Sequence, residues 1–489
     1  MLRRMLPLSL LLLASCAPTS QTTLAPASPL LDGSIAEWSA ESAAWADASH
    51  VYLRFKVPPD HGAIQNAPRT VAIYLDADAN PATGRRATAR TFNTLGVDLE
   101  IEFSPRNADG SPTPGVAAFA VAADGSRRRI PNEATGLTVS PTYASRWYEA
   151  RLARAVVGSL ALPAEPAAAG GLFVTYDDTG AIDGYSEPFR LPLPPRTPEA
   201  PLTTLPPAKD PGLVRVVSWN VKKSAPLANP APFARVLTLL EPDVILFQEW
   251  DNPDPDVLRG WLEEHVPRSL TPGRGPEGSW RVRSGPGVAI ASRWNLENVP
   301  PDTLQMTFES RERTVRMTSA LVTTPLAEVL LTSIHLKCCG SATGREEATR
   351  QAEAKAINLM LAESSRPWPM SMRVIAGDYN LVGTRTPLDL LAEGLDNDAS
   401  ALAVADATTL GDNALITWRD WSSPFTPGRL DFALYSDASA KPVHAFVLDT
   451  TRMSQETLAR IGLDAGDSAA SDHLPVVLDL LPIPAAAPR

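Results

Sequence analysis

Three cysteines in 489 residues leave no room for a disulfide framework, and Cys16, Cys338 and Cys339 have the wrong spacing for a zinc ribbon. Positive charge is also in deficit: 44 Lys and Arg stand against 55 Asp and Glu, a formal net charge of -11. That balance disfavours a general polyanion binder, which holds nucleic acid through a basic face, while leaving room for a locally positive cleft. No internal repeat is present, and no second apolar run reads as a membrane segment. What abounds is proline, 47 residues crowded largely between elements, and the length predicts two domains rather than one core.

The chain opens with Arg3 and Arg4, an apolar run from Leu6 to Leu13, and then Ala14-Ser15-Cys16. A basic start, a short apolar stretch and small residues describe a secretory signal, since so short a run does not stay across a bilayer. Leu13-Ala14-Ser15-Cys16 resembles a bacterial lipobox, which implies that Cys16 is the lipidated N-terminus of an exported, membrane-anchored envelope protein; the alternative is an ordinary cleaved signal. Residues 17–30, rich in Pro, Ser and Thr, read as a disordered tether.

From 31 to 193 the pattern is β throughout, with turn clusters such as Asn107-Ala108-Asp109-Gly110 and no long helical period, so a β-sandwich is expected. Residues 97–103 alternate strictly, which predicts a half-buried strand whose carboxylates face water. Residues 194–212 carry seven prolines and read as an extended, semi-rigid linker. From 213 to 483 apolar strand-like runs alternate with helical ones, among them the long helix from Arg345 to Glu363, which predicts a layered α/β domain before a short tail, 484–489.

In that second domain, polar residues sit at the ends of buried runs. Asn220, Glu249, His335, Asp378, Asn380, Asp431, Asp472 and His473 all occupy such positions, where an unpaired carboxylate or amide is costly. If the strands pack together, these residues converge on one sheet edge. A cleft of Asn, Asp, Glu and His with almost no thiolate selects a hard cation, magnesium, manganese or calcium over zinc. Phosphoryl chemistry uses such a site: a cation for the non-bridging oxygens, a base for water and a donor for the transition state.

The ordered motifs Ser218-Trp219-Asn220-Val221, Gln248-Glu249, Ile334-His335-Leu336, Gly377-Asp378-Tyr379-Asn380, Leu430-Asp431-Phe432 and Ser471-Asp472-His473 resemble the endonuclease/exonuclease/phosphatase family of DNase-I-like phosphoesterases. The resemblance runs from about residue 214 to 481. It implies a four-layer α/β/β/α sandwich and in-line attack of a water, organised by Mg2+ or Mn2+, on the phosphorus of a nucleic acid, phospholipid or small phosphoester. It further implies Glu249 as principal metal ligand with Asn220 beside it, and Asp472 as a ligand of a second metal position. Asp378 would orient or deprotonate the water, Asn380 would hold phosphate or nucleophile, and His473, fixed by Asp431, would act as stabiliser or acid. His335 would be a further phosphate-contacting or acid residue. The competing reading is a catalytically silent, tethered binding protein with recognition by the β-sandwich.

Other features are less specific. Lys222, Lys223 and Arg293 read as solvated surface, as do Arg311, Arg313 and Arg316 on the exposed side of a strand. Cys338-Cys339 fits either a strained vicinal disulfide or a buried thiol pair. Asp76, Asp78 and Asn80 have the spacing of the first three oxygens of a calcium loop but lack its later Gly and acidic residue, so they are a candidate Ca2+ set or an Asx-rich turn. Together with Leu31-Asp32-Gly33, Glu37-Trp38 and Val51-Tyr52-Leu53-Arg54-Phe55, this segment resembles carbohydrate-binding family 9-like β-sandwiches, which implies a module for a glycan or cell-wall ligand.

Overall fold

A computed structural model describes residues 28–39, 43–87, 95–160, 162, 165–266 and 280–484. Cys16, the proposed lipidation site, lies outside the described residues. Among them no helix is long and apolar enough to cross a membrane.

The N-terminal part is a sandwich of two antiparallel sheets. A four-stranded sheet orders Ala44–Ala46, His50–Lys56, Trp147–Ala153 and Thr138–Ser140; a seven-stranded one is centred on Val71–Asp76, Leu99–Phe103 and Ala168–Tyr176. Leu53, Phe55, Ile73, Ile101, Phe103 and Tyr148 fill the space between them. Alternation therefore places Leu99, Ile101 and Phe103 inward as the sequence predicts. The expectation that Glu100 and Glu102 face water is wrong: both are completely buried. A second apolar cluster, including Tyr74, Val97, Leu172 and Tyr176, covers the other face of this sheet. Arginines then pair with the carboxylates: Arg127 Nη1 lies 2.8 Å from Glu102 Oε1 and Arg85 Nη2 lies 3.3 Å from Glu100 Oε2, with Arg106 also on Glu102. Buried carboxylates persist only with such partners.

The C-terminal part has two facing mixed sheets. One orders Arg281–Gly285, Val288–Ser292, Val244–Gln248, Val214–Asn220, Val476–Pro482, Ala440–Val447 and Thr408–Thr409. The other orders Asn295–Asn298, Met317–Thr323, Glu328–His335, Met372–Asp378, Asp431–Tyr435 and Ala403–Val404. Val214, Val216 and Leu246 of the first meet Val322, Leu331 and Val374 of the second between the sheets. Val217, Trp219 and Phe247 point outward into a core shared with the helices Pro230–Leu240 and Pro255–His265. Helices Arg345–Ser364 and Thr386–Ala392 cover the other sheet through Ile357, Leu361 and Leu391. The result is an α/β/β/α four-layer sandwich, and strands buried on both faces explain the near-continuous apolar runs.

Register is held by a buried cross-strand pair. Arg215 stands opposite Asp479, and Nε and Nη2 each reach a carboxylate oxygen at 2.7 Å, a bidentate arrangement. Parallel pairing of Val214–Asn220 with Val244–Gln248, and of Glu328–His335 with Met372–Asp378, brings four strand C-termini to common edges.

The sandwich is bonded directly to the α/β unit. Gln65 exchanges two hydrogen bonds with Thr426, its Oε1 accepting from the Thr426 N–H at 2.9 Å and its Nε2 donating to Oγ1 at 3.0 Å. Val116 N–H donates to Pro424 O and Ala144 N–H to Gly383 O, each at 2.8 Å. Arg151 forks onto Asp412 at 2.6 and 3.0 Å. The proline-rich stretch runs along both parts: Thr197 N–H donates to Ala48 O, and Leu202 N–H to Arg452 O.

Candidate active site

Three site residues lie side by side on neighbouring strands. His335 pairs with Asp378 in the parallel register, and Asp378 with Asp431 in the antiparallel one. Close approach of the first two strands needs Gly377: its φ is +150°, and a Cβ there would fall 2.0 Å from Ile334 O. The Gly of the Gly-Asp-Tyr-Asn motif is thus a steric requirement for placing Asp378 beside His335.

The facing sheet supplies the rest. Asn220 ends its strand opposite Gln248, and Glu249 follows in a left-handed conformation, φ +54°, an uncommon backbone state for a non-glycine residue. Asn220 Nδ2 bridges the sheets, lying 3.2 Å from both Glu249 Oε1 and Asp378 Oδ2. Its Oδ1 accepts from Lys222 N–H at 3.1 Å, and Lys223 N–H donates to Glu249 Oε2 at 3.1 Å. Asn380, also left-handed at φ +49°, is held by its own N–H donating to Asp378 Oδ1 at 3.0 Å and its Nδ2 donating to Leu336 O at 3.2 Å.

His473 closes the group. Its Nδ1 lies 2.8 Å from Asp431 Oδ2 and its Nε2 3.7 Å from Asp378 Oδ2. Burial opposes a charge on this ring, but the Asp431 and Asp378 carboxylates outweigh it and lift the pKa to about 10. Burial raises Asp378, helped by Asp431 and opposed by His473, to about 7. His335 goes the other way: burial, and then the neighbouring Arg316, hold it well below the ordinary imidazole value. His473 is therefore cationic at neutral pH and His335 neutral.

Arg316 is the participant that the sequence reading assigned to solvent. It lies between the strands Arg311–Thr314 and Met317–Thr323, half-buried, with Nη1 2.9 Å from His335 Nδ1 and Nη2 donating to Leu336 O at 2.9 Å. A guanidinium only donates, so His335 Nδ1 accepts and the ring proton resides on Nε2, 3.4 Å from Asp378 Oδ2. The long helix adds a second support missed in sequence: Glu353 Oε2 accepts from Lys337 N–H at 2.7 Å, and Arg350 Nη2 donates to Cys339 O at 2.7 Å. Glu347, Arg350 and Glu353, charged residues spaced three apart on one face of this helix, were the available signal.

Oxygen donors dominate this centre, and ligand atoms of Asp378, Asp431 and His473 fall within 4.8 Å of one another. The carboxylates, joined by that of Glu249 and the second lone pair of the Asn220 carbonyl, suit a hard divalent cation, whereas the protonated His473 has no lone pair to offer it. Asp472 stands apart: its carboxylate lies 3.5 Å from Lys222 Nζ at the rim. Cys338 and Cys339 are free thiols, the second exposed, so neither a disulfide nor a buried pair forms. Arg293 stacks on Trp280 at 4.1 Å, not in the cleft.

In the sandwich, Asp76 and Asp78 come together with Asp98, which spacing alone could not find. Asp76 Oδ1 and Asp78 Oδ1 each accept from Asn80 N–H at 3.0 Å, and Asn80 Oδ1 accepts from Ala82 N–H at 3.1 Å, an Asx-type turn.

The model of the Endonuclease/Exonuclease/phosphatase family matches residues 217–473. No curated protein matches the chain. Among solved structures, D. rerio TDP2 complexed with a single-strand DNA product is similar at 17% identity, covering 55% of this chain and 98% of that one, with a TM-score of 0.35. Sphingomyelinase C from Streptomyces griseocarneus is similar at 18% identity, with 55% and 99% covered and a TM-score of 0.36. A variant of beta toxin from Staphylococcus aureus with bound magnesium ions is similar at 16% identity, with the same coverages and a TM-score of 0.36.

Proposed function

The chain belongs to the endonuclease/exonuclease/phosphatase family, whose members hydrolyse phosphoester bonds, and from that premise we propose a Mg2+- or Mn2+-dependent hydrolase that works by in-line attack of water on phosphorus. One observation carries the reading: Asn220 ties Glu249 to Asp378 across the two sheets, at the point where both histidines converge. A divalent cation at Glu249 and Asn220 would supply the positive charge that phosphoryl transfer needs.

The chain's own groups do the remainder. Asp378, raised toward neutrality by burial, orients water and accepts its proton. His473, kept cationic by Asp431, faces the developing negative charge on the phosphoryl oxygens. His335 Nε2–H and Asn380 Nδ2 act as neutral donors to the phosphate, with the His335 tautomer set by Arg316. The substrate is a nucleic acid, a phospholipid or a small phosphoester. Lipidation at Cys16 and a Ca2+ at Asp76, Asp78 and Asn80 remain part of the same proposal, as does a glycan ligand for the sandwich.

The test is turnover by the full chain with magnesium, manganese or chelator on plasmid DNA, RNA, sphingomyelin and a bis-aryl phosphodiester beside its monoester. Metal-dependent cleavage that disappears in Asp378→Ala supports the reading. No turnover on any substrate by a folded, metal-binding protein sinks it.

A further inference from the structure

A groove of about 600 Å³ runs between the sandwich and the α/β unit, outside the catalytic cluster. The sandwich contributes His50, Glu133, Thr138 and Arg151 to its wall; the opposite wall includes Arg419, Asp420 and Trp421. Its lining includes Ser471 and Asp472, the two residues before His473, and Lys222, two residues after Asn220. A group bonded to a phosphate in the cluster and leaving it past Asp472 would enter this groove.

The walls are fixed by ion pairs, one of which, Arg151–Asp412, crosses between the two parts while the others brace the α/β side and the linker. Arg151 forks onto Asp412, Arg452 joins the same carboxylate and Glu199, and Arg419 forks onto Asp449 at 2.7 and 2.9 Å. His473 itself is tied to the rim through Trp418, its β-bridge partner, the residue before Arg419. A cavity of this size is of the order that takes a small molecule, and a preformed wall spares the cost of ordering it.

Charge selects among ligands. Each of the three arginines at the groove already meets carboxylates, and Lys222 meets Asp472. A polyanion gains its affinity from cations that neutralise successive phosphates, and pairs satisfied within the protein offer little of that. What the groove does offer is the face of Trp421, 36% exposed, and hydrogen-bonding carboxylates and hydroxyls around it.

We propose that this two-domain groove is the subsite for the organic group esterified to the phosphate, and that this group is compact, uncharged and hydrogen-bonding, of nucleoside or sugar size. The inference rests on the hydrolase reading above and narrows it to small phosphoesters. The sandwich then belongs to the substrate site instead of being a separate module.

The experiment compares two probes with the full chain in magnesium: thymidine 5′-(p-nitrophenyl phosphate), which carries an uncharged nucleoside, and ethyl p-nitrophenyl phosphate, which does not. Release of p-nitrophenolate gives kcat/KM for each. The wild type is expected to favour the nucleoside ester by about tenfold or more, the equivalent of one well-made set of contacts. Trp421→Ala removes the ring, and Ala469→Trp fills the groove from an exposed position on its edge. Each is expected to cut the preference about tenfold, read as a ratio so that general loss of activity cancels. An unchanged ratio in both variants overturns the inference, as does a wild type active on both esters without preference, or plasmid DNA hydrolysed faster per bond than the nucleoside ester. A wild type inert on both esters but active on plasmid DNA, RNA or sphingomyelin overturns this inference alone; one inert on all of them overturns the hydrolase reading itself, and this inference with it.

Discussion

Arg316 Nη1 lies 2.9 Å from His335 Nδ1, and the direction of that contact decides the protonation of the ring. The same guanidinium donates to Leu336 O, so it also fixes the backbone that receives Asn380 Nδ2. Arg316→Ala should lower kcat by about 10- to 100-fold, the scale for losing a group that orients a site residue. With the cation gone His335 protonates more readily, so the loss should be larger near pH 5 than near pH 8. Lysine cannot make both bonds and should not rescue. A uniform loss across pH would count against the role assigned to His335.

The Asp431–His473 contact leads to a pH prediction of the opposite sign. The ring is raised to about 10, so it stays protonated through neutrality and loses its proton only on the alkaline side. Asp431→Asn removes the principal carboxylate and should move the alkaline limb of kcat/KM to lower pH, with activity near pH 9 suffering more than near pH 6. The drop at neutral pH should be on the order of 100-fold or more. An alkaline limb that does not move would show that His473 is not the group responsible.

Glu249 is poised by Asn220 Nδ2 and Lys223 N–H, each bonding one of its oxygens. Glu249→Gln preserves shape while removing the charge a hard cation prefers. The magnesium concentration for half-maximal activity should rise about tenfold or more, on the scale seen when ligand environments are altered. Titration calorimetry of magnesium binding gives the same comparison without turnover. Equal affinity in the variant would remove Glu249 from the ligand set.

Stability should respond at Asp412. Its side chain and that of Arg151 are almost fully buried, at 7% and 5% exposure. Burial alone would raise the Asp412 pKa, but Arg151 and Arg452 outweigh it and hold the carboxyl well below the ordinary range. A depressed pKa means the stabilisation is complete above the unfolded value of about 4 and is lost as pH falls through the folded one. Asp412→Asn should therefore cost about 3 kcal/mol at pH 7, since it strands buried guanidinium charge. The difference from wild type in thermal unfolding should shrink steadily below about pH 4. A constant difference at every pH would point to packing instead.

Much of this protein is determined by local pattern. Continuous apolar runs such as Val244–Phe247 demand strands buried on both faces, and polar residues at their ends, Asn220, Glu249, Asp378 and His473, can persist only where they meet one another or a ligand. The layered α/β character of the C-terminal domain and a strand-end polar cleft follow from that, while the count of four layers came from the family resemblance. Tertiary structure alone decided the rest, because alternation says which face a residue occupies and nothing about what covers that face. Glu100 and Glu102 alternate like water-facing residues yet are buried, since Arg85 and Arg127 from other strands, with Arg106 from the turn that follows, close over them. Arg316 sits in a run of exposed-looking arginines but meets His335, because the pairing of Met317 with Ile334 carries it there. Asp98 joins Asp76 and Asp78 across a strand pair, and Asp472 faces a groove that exists only where two domains meet. Such contacts depend on long-range register and docking, which residue order near each position does not encode.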